Sequence, residues 1–306
     1  MVNYVATIIS KTPILEEQRQ AVHDVLAKLD LSVSGQKKLS DRSEDFFFDL
    51  PESIGLDALR TGVNILCNEK AIDIAVQPND RFRKGKKLAV FDMDSTLIQQ
   101  EVIDMIAAYA DVEEQVSSIT SLAMNGLIDF NESLRRRASL LEGVPSNVFE
   151  SLKSQIRLTP GAYELCKVLK KDGYKLAVLS GGFIPLANWI KEKLGLDYAF
   201  ANQLEVSEDG TALTGKVLGD IVNAERKAEL LRHISEMGNI ELGASMAVGD
   251  GANDLKMMHT AGYGIAFNAK PIVQEKAPAR LNAASLQDVL YILGYTLDEQ
   301  NALLEN

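Results

Sequence analysis

The sequence is poor in the features that mark secreted, membrane-bound or nucleic-acid-binding proteins. Its 306 residues include two cysteines, Cys67 and Cys166, too far apart for a metal-ligand or redox spacing. Both are expected to be reduced packing residues. No run approaches the roughly 20 apolar residues of a membrane span. The opening Met1-Val2-Asn3-Tyr4 has neither the basic nor the apolar region of a secretory signal, so a cytoplasmic location is the expectation. Positive charge is scarce as well: 32 Lys and Arg against 43 Asp and Glu leave a net charge of −11. That balance argues against nucleic acid, which is held through many Lys and Arg contacts to phosphate. The three histidines, His23, His233 and His259, show no metal-binding spacing and no Ser or Cys nucleophile pattern, and are read as structural.

What is present is an ordinary globular composition, 46% hydrophobic and 25% charged, at a length that suits two domains. The first eighty residues read as strand, helix, two strands, helix, strand. Helical apolar spacing recurs at Val22, Val25, Leu26, Leu29 and at Leu56, Leu59, Val63, Leu66. Strands are predicted at 5–9, 32–39, 46–50 and 71–77, the order of a ferredoxin-like split βαβ unit. Pro78 to Lys87, rich in Arg and Lys, reads as a solvated linker. The predicted division is 1–82 for a small α+β domain and 83–306 for the remainder.

Beyond the linker, short apolar runs end abruptly in polar residues: Leu88 to Phe91 before Asp92, Leu176 to Leu179 before Ser180, and Met246 to Val248 before Gly249-Asp250. Unbroken apolar runs suit strands buried on both faces of a parallel sheet, whose carboxyl ends form the ligand crevice. The stretch from about 99 to 160 is helical and too long for one crossover, so it is read as an inserted cap. Leu204 to Val206 and Lys216 to Leu218, around Glu208-Asp209-Gly210, predict a hairpin.

Asp92-Met93-Asp94-Ser95-Thr96 places two carboxylates one residue apart at the first strand end. Such a pair can divide the work: one attacks as an ionised nucleophile, while the other, held protonated, delivers a proton to a leaving alkoxide. Ser180-Gly181-Gly182 offers a hydroxyl and backbone N–H groups that a phosphoryl oxygen can approach without a Cβ in the way. Lys227 sits in a helical segment, and Gly249-Asp250-Gly251-Ala252-Asn253-Asp254 closes the series. Asp254, four residues after Asp250, shares its helix face if a helix starts there.

These four elements, in this order, resemble the motifs of haloacid dehalogenase-type phosphotransferases, and most nearly those of phosphoserine phosphatases, from about Lys86 to Leu293. The resemblance implies a Rossmann-like parallel-sheet core with a helical cap inserted after the first motif. It makes Asp92 the nucleophile and a metal ligand, Asp94 the acid/base with its backbone carbonyl on the metal, and Asp250 and Asp254 further metal-site residues, Asp254 ranking behind Asp250. Ser180, Gly181, Lys227 and Asn253 would hold the phosphoryl group, and one Mg²⁺, a hard cation suited to oxygen ligands, would be the cofactor. In the cap, Glu101 matches the amine-binding position, Arg137 the carboxylate-binding one, and Met124 and Phe130 the apolar pocket positions. Arg135, Arg136 and Arg137 point about 100° apart on a helix, so one at most can face a ligand.

The activity implied is hydrolysis of O-phosphoserine to serine and phosphate, the last step of serine biosynthesis. The alternatives are another small monoester or a phosphoprotein as substrate, a phosphotransferase, and, more distantly, a phospho-accepting receiver protein. The first domain resembles amino-acid-sensing ACT domains in topology, which leaves dimerisation and amino-acid regulation as its expected roles.

Overall fold

Three eight-residue strands, a six-residue one and two amphipathic helices build the first unit. The computed structural model describes residues 2–305, the Asp57 side chain excepted. Strand β1 (Val2–Ile9), helix α1 (Glu16–Ala27), strands β2 (Val33–Ser40) and β3 (Ser43–Leu50), helix α2 (Leu56–Lys70) and strand β4 (Asp73–Pro78) follow the predicted order. They form an antiparallel sheet, β2-β3-β1-β4, with Val2 opposite Leu50 and Ile9 opposite Ser43. Phe46 and Phe48 of β3 are buried with Val22 and Leu26 of α1 and Leu59, Val63 and Leu66 of α2. Each such side chain contributes about 1.5–3 kcal/mol on leaving water. The helical spacing in the sequence therefore marked the faces that meet the sheet.

The segment read as a solvated linker is partly interior. It holds a short helix, α3 (Arg81–Lys84), capped by Asp80, whose carboxylate accepts from Phe82 N at 2.8 Å. Arg83 is 8% exposed and donates to Asp45 Oδ1 at 2.7 Å and Thr7 Oγ1 at 3.1 Å. Lys86 is buried too, its Nζ 3.2 Å from Gly243 O. Charge density suggested solvent. The segment instead runs between two folded units, where a buried carboxylate in β3 needs a counter-ion.

The second unit is a seven-stranded sheet of β5 (Leu88–Phe91), β6 (Lys175–Phe183), β7 (Tyr198–Val206), β8 (Leu213–Leu218), β9 (Ser245–Gly249), β10 (Tyr263–Phe267) and β11 (Ala279–Leu281). Its order is β11-β10-β9-β5-β6-β7-β8, parallel except for the β7–β8 hairpin. Strand β5 lies in the middle and is buried on both faces. Ala89 and Phe91 join the cluster shared with the cap, whereas Leu88 and Val90 join the cluster of the opposite face. Around the sheet lie α8 (Ala162–Lys171), α9 (Ile184–Leu194), α10 (Ala224–Met237), α11 (Leu255–Thr260), α12 (Pro271–Lys276), α13 (Val289–Ile292) and α14 (Leu297–Glu305).

The cap is helical as predicted: α4 (Val102–Tyr109), α5 (Glu113–Met124), α6 (Phe130–Ser139) and α7 (Val148–Leu152). It leaves and rejoins the core through two chains that lie side by side. Ile98 bridges Leu158, and Thr159 N donates to Leu97 O at 2.9 Å. A second tie, Pro145 against Ala212, fastens the cap's return to the hairpin.

The two units are joined by polar contacts. Gln77 Nε2 donates to Ile292 O at 2.7 Å, Tyr263 OH to Val76 O at 3.1 Å, and Arg42 pairs with Asp288 at 2.9 Å. Asp73 accepts from Asn282 N at 2.6 Å.

Candidate active site

Three strand ends and one helix build the site. After β5 the chain makes a single wide turn, Met93–Leu97, closed by Ile98 N donating to Met93 O at 3.0 Å. Ser95 takes a left-handed φ of 54° inside it, a conformation costing a non-glycine residue about 1–2 kcal/mol. The turn aims the two carboxylates in different directions. Asp92 Oδ1 accepts from Met93 N and lies 2.7 Å from Lys227 Nζ, while Asp94 accepts from Val102 N at 3.0 Å and from Ser180 Oγ at 3.1 Å. The divided roles expected of the pair therefore have a geometric basis.

At the end of β6, Ser180 donates to Asp94 and accepts from Gly182 N at 2.8 Å. A Cβ on Gly182 would stand 2.7 Å from Asp94 Oδ2 and 3.0 Å from Ser180 Oγ, so only glycine lets the chain pass this close. Gly181 faces the cap: a Cβ there would be 3.0 Å from Phe130 Cζ and 3.8 Å from Asn253 Nδ2. Phe130 and Asn253 thus meet over the same glycine.

The third strand end brings Asp250 and Asp254 to Asp92. One oxygen from each of the three carboxylates lies within 4.8 Å of the others. Lys227 is fully buried, with Nζ 2.7 Å from both Asp92 Oδ1 and Asp254 Oδ1. Asp254 is the most enclosed of the three acids and holds the lysine directly. Burial disfavours the Lys227 cation, but the charges of Asp254 and Asp92 outweigh it and keep the group above the usual lysine range. Burial and then the Asp254 charge push Asp92 well up. Asp94 is pushed up to about 7 by burial and by Glu101, and Asp250 to about 7 by burial and by Asp254. One lysine does not neutralise three clustered carboxylates, so this oxygen set suits a hard divalent cation.

In the cap, Arg137 is partly buried whereas Arg135 and Arg136 are exposed, Arg136 being paired with Glu132. One arginine of the three turns inward, the most that the helical geometry allows. Burial lowers Arg137 and the charges of Asp104 and Glu101 oppose that. Glu101 stands at the start of α4 and accepts from Ser95 Oγ at 2.7 Å; burial raises its pKa. Phe130 packs on the core cluster, but Met124 is 60% exposed, with Sδ 3.7 Å from Lys270 Nζ.

Sequence reasoning passed over several residues that complete the site. Thr96 Oγ1 donates to Asp250 Oδ1 at 3.0 Å, a role foreshadowed only by its place in the first motif. Asn202 is buried and bridges Gly181 O and Val222 N. Asn223 caps α10 and donates to Asn131 of the cap at 3.0 Å, joining the helix of Lys227 to α6. A lone asparagine carries no sequence signal for such long-range contacts.

A nucleophile-type carboxylate, a buried lysine, an acidic cluster and a helical insert after the first strand define a class. A sequence model of the haloacid dehalogenase-like hydrolases matches residues 86–262, and the chain belongs to that family. Its relatives narrow the position to the phosphoserine phosphatase branch. The phosphoserine phosphatase of Saccharomyces cerevisiae is 52% identical over 272 residues, 88% of each chain. A haloacid dehalogenase family hydrolase from Salmonella enterica serovar Typhi superposes with a TM-score of 0.81 at 30% identity, over 95% of this chain and 98% of that one. A phospho-aspartyl intermediate analogue of a phosphoserine phosphatase matches 67% of this chain and 98% of its own, at 49% identity and a TM-score of 0.63.

Proposed function

We propose that the chain hydrolyses O-phosphoserine to serine and phosphate through an aspartyl-phosphate on Asp92, as the last step of serine biosynthesis. The observation that carries this reading is the divergence of the acid pair, Asp92 onto Lys227 and Asp94 onto Ser180. Asp92 Oδ attacks phosphorus and the ester P–O bond breaks. Asp94, poised near neutrality, gives its proton to the departing serine oxygen and then takes one from the water that attacks phosphorus, so that the Asp92 O–P bond breaks and phosphate leaves. Lys227 and the N–H groups after Ser180 hold the phosphoryl oxygens, and Asn253 stands beside them. Asp92, Asp250, Asp254 and the Asp94 carbonyl are the groups that would hold one Mg²⁺, which when bound neutralises charge on the phosphoryl oxygens.

Selection of phosphoserine falls to the cap. Glu101 meets the ammonium, Arg137 the carboxylate, and Phe130 and Met124 bound the volume. The phospho-aspartyl analogue and the S. cerevisiae relative support this substrate and intermediate. We place the enzyme in the cytoplasm, where its two buried free cysteines stay reduced. We divide it at residue 82 and assign pairing with a second copy to the first domain, whose outer strand β2 has an open edge. Among the described residues, no helix is long and apolar enough to cross a membrane.

A panel of phosphoserine, phosphothreonine, sugar phosphates and an aryl phosphate tests the assignment. Phosphoserine should lead in kcat/KM, and equal rates across the panel would defeat the specificity. Asp92→Asn should abolish both turnover and acid-stable acyl-phosphate; retained phosphate release would remove Asp92 from its role.

A further inference from the structure

A second recess lies away from the acidic cluster, at the seam between the two units. It is a cleft of about 340 Å³ between α2 and β4 on one side and α11, α12 and the approach to β11 on the other. That volume is at the small end of metabolite-sized clefts. In a chain of net charge −11 its lining is basic: Arg60 and Arg280, with Lys276 at the rim, against Glu275 and the nearby Asp73. Arg60 Nε is buried and has no hydrogen-bond partner, whereas Arg280 Nε lies 3.4 Å from Asp73 Oδ1. A buried guanidinium N–H without an acceptor is unfavourable, and an oxyanion relieves it with a charge-assisted bond. Asn64 and Gln274 add amide groups for the rest of a ligand.

The cleft touches the reaction centre through one short helix. His259 lines it, and Lys276 O can only accept, so His259 Nε2 donates to it at 2.9 Å. His259 belongs to α11, Asp254 stands at the residue just before that helix, and Asp254 holds Lys227 at 2.7 Å. A shift of Lys276 therefore reaches Asp254 through a turn and a half of helix.

We propose that this cleft binds a small oxyanion-bearing metabolite, a carboxylate or a phosphate ester, and that occupancy adjusts turnover through α11. The second half rests on the placement of Asp254 in the reaction centre; the first does not. Calorimetry on the full chain with malonate and with phenylphosphonate separates the two anion sources. Arg60→Gln should weaken binding of the preferred probe by about tenfold or more, the range of one charge-assisted hydrogen bond. It should leave kcat without probe unchanged. Lys276→Gln, at an exposed position with no folding risk, should weaken it by about threefold. Wild-type protein that binds neither probe, or variants that both bind as wild type does, would overturn the site. Added probe should shift kcat/KM in the wild type and not in Arg60→Gln. Binding that leaves kcat/KM unmoved overturns the coupling, and calorimetry reads the site whatever the substrate proves to be.

Discussion

At Gly182 one methyl group would separate the acid from its hydroxyl partner. Its Cβ would fall 2.7 Å from Asp94 Oδ2, so Gly182→Ala should displace Asp94 by a fraction of an ångström in a chain that still folds. A full ångström of misplacement costs roughly 10²-fold in rate, so a loss of about tenfold is expected. Steady-state kinetics beside a thermal melt check it, and an unchanged kcat would mean that Asp94 does not act from where it stands. Lys86 concerns stability instead. Burial lowers it to about 8, against roughly 10.4 for a free lysine, so between those values the unfolded chain binds the extra proton. Stability should therefore rise with pH across that window, with the burial cost fully present below it. Lys86→Met should abolish the rise and gain on the order of 1–3 kcal/mol near neutral pH. Urea melts at neutral pH and near pH 10 decide; a less stable variant would credit the bond to Gly243 instead. In the sequence Gly182 read as backbone room for a phosphoryl oxygen and Lys86 as part of a solvated linker; the contact with Asp94 needed the fold, and the burial of Lys86 needed the neighbouring unit.

At the scale of elements, α6 is the helix to which we assign specificity. It presents Phe130 to Gly181, Asn131 to Asn223 and Arg137 to the interior. Arg137→Ala should reduce kcat/KM for phosphoserine by about 10²-fold while sparing a small aryl phosphate, since it removes a charged contact that only the amino acid uses. Parallel losses on both substrates would assign Arg137 to folding or chemistry. The strands, the cap and the hairpin were legible because buried runs, helical periodicity and a turn signal each have a local cause. The linker was not: five basic charges look solvated until Asp45 in β3 is seen to require Arg83. The four motifs were legible as a set, whereas the cap-to-core bond between Asn131 and Asn223 joins residues 92 apart in sequence.

At the scale of the molecule, the two units share a polar seam that includes a buried ion pair. Arg83→Met leaves Asp45 uncompensated and should cost about 3–5 kcal/mol, lowering the melting temperature of the whole chain. Because Gln77, Tyr263 and Arg42 also cross the seam, calorimetry should record one transition for both units in wild type. Two separate peaks would mean that each unit folds without the other.

The paired chains that tether the cap, with Ile98 against Leu158 and Thr159 N on Leu97 O, lie only a few residues from Asp92. Any rotation of the cap about them would sweep a helical body through solvent at a speed set by drag. If opening governs product departure, kcat will fall in proportion to the relative viscosity of added glycerol or sucrose, and a flat response will place the slow step in bond breaking.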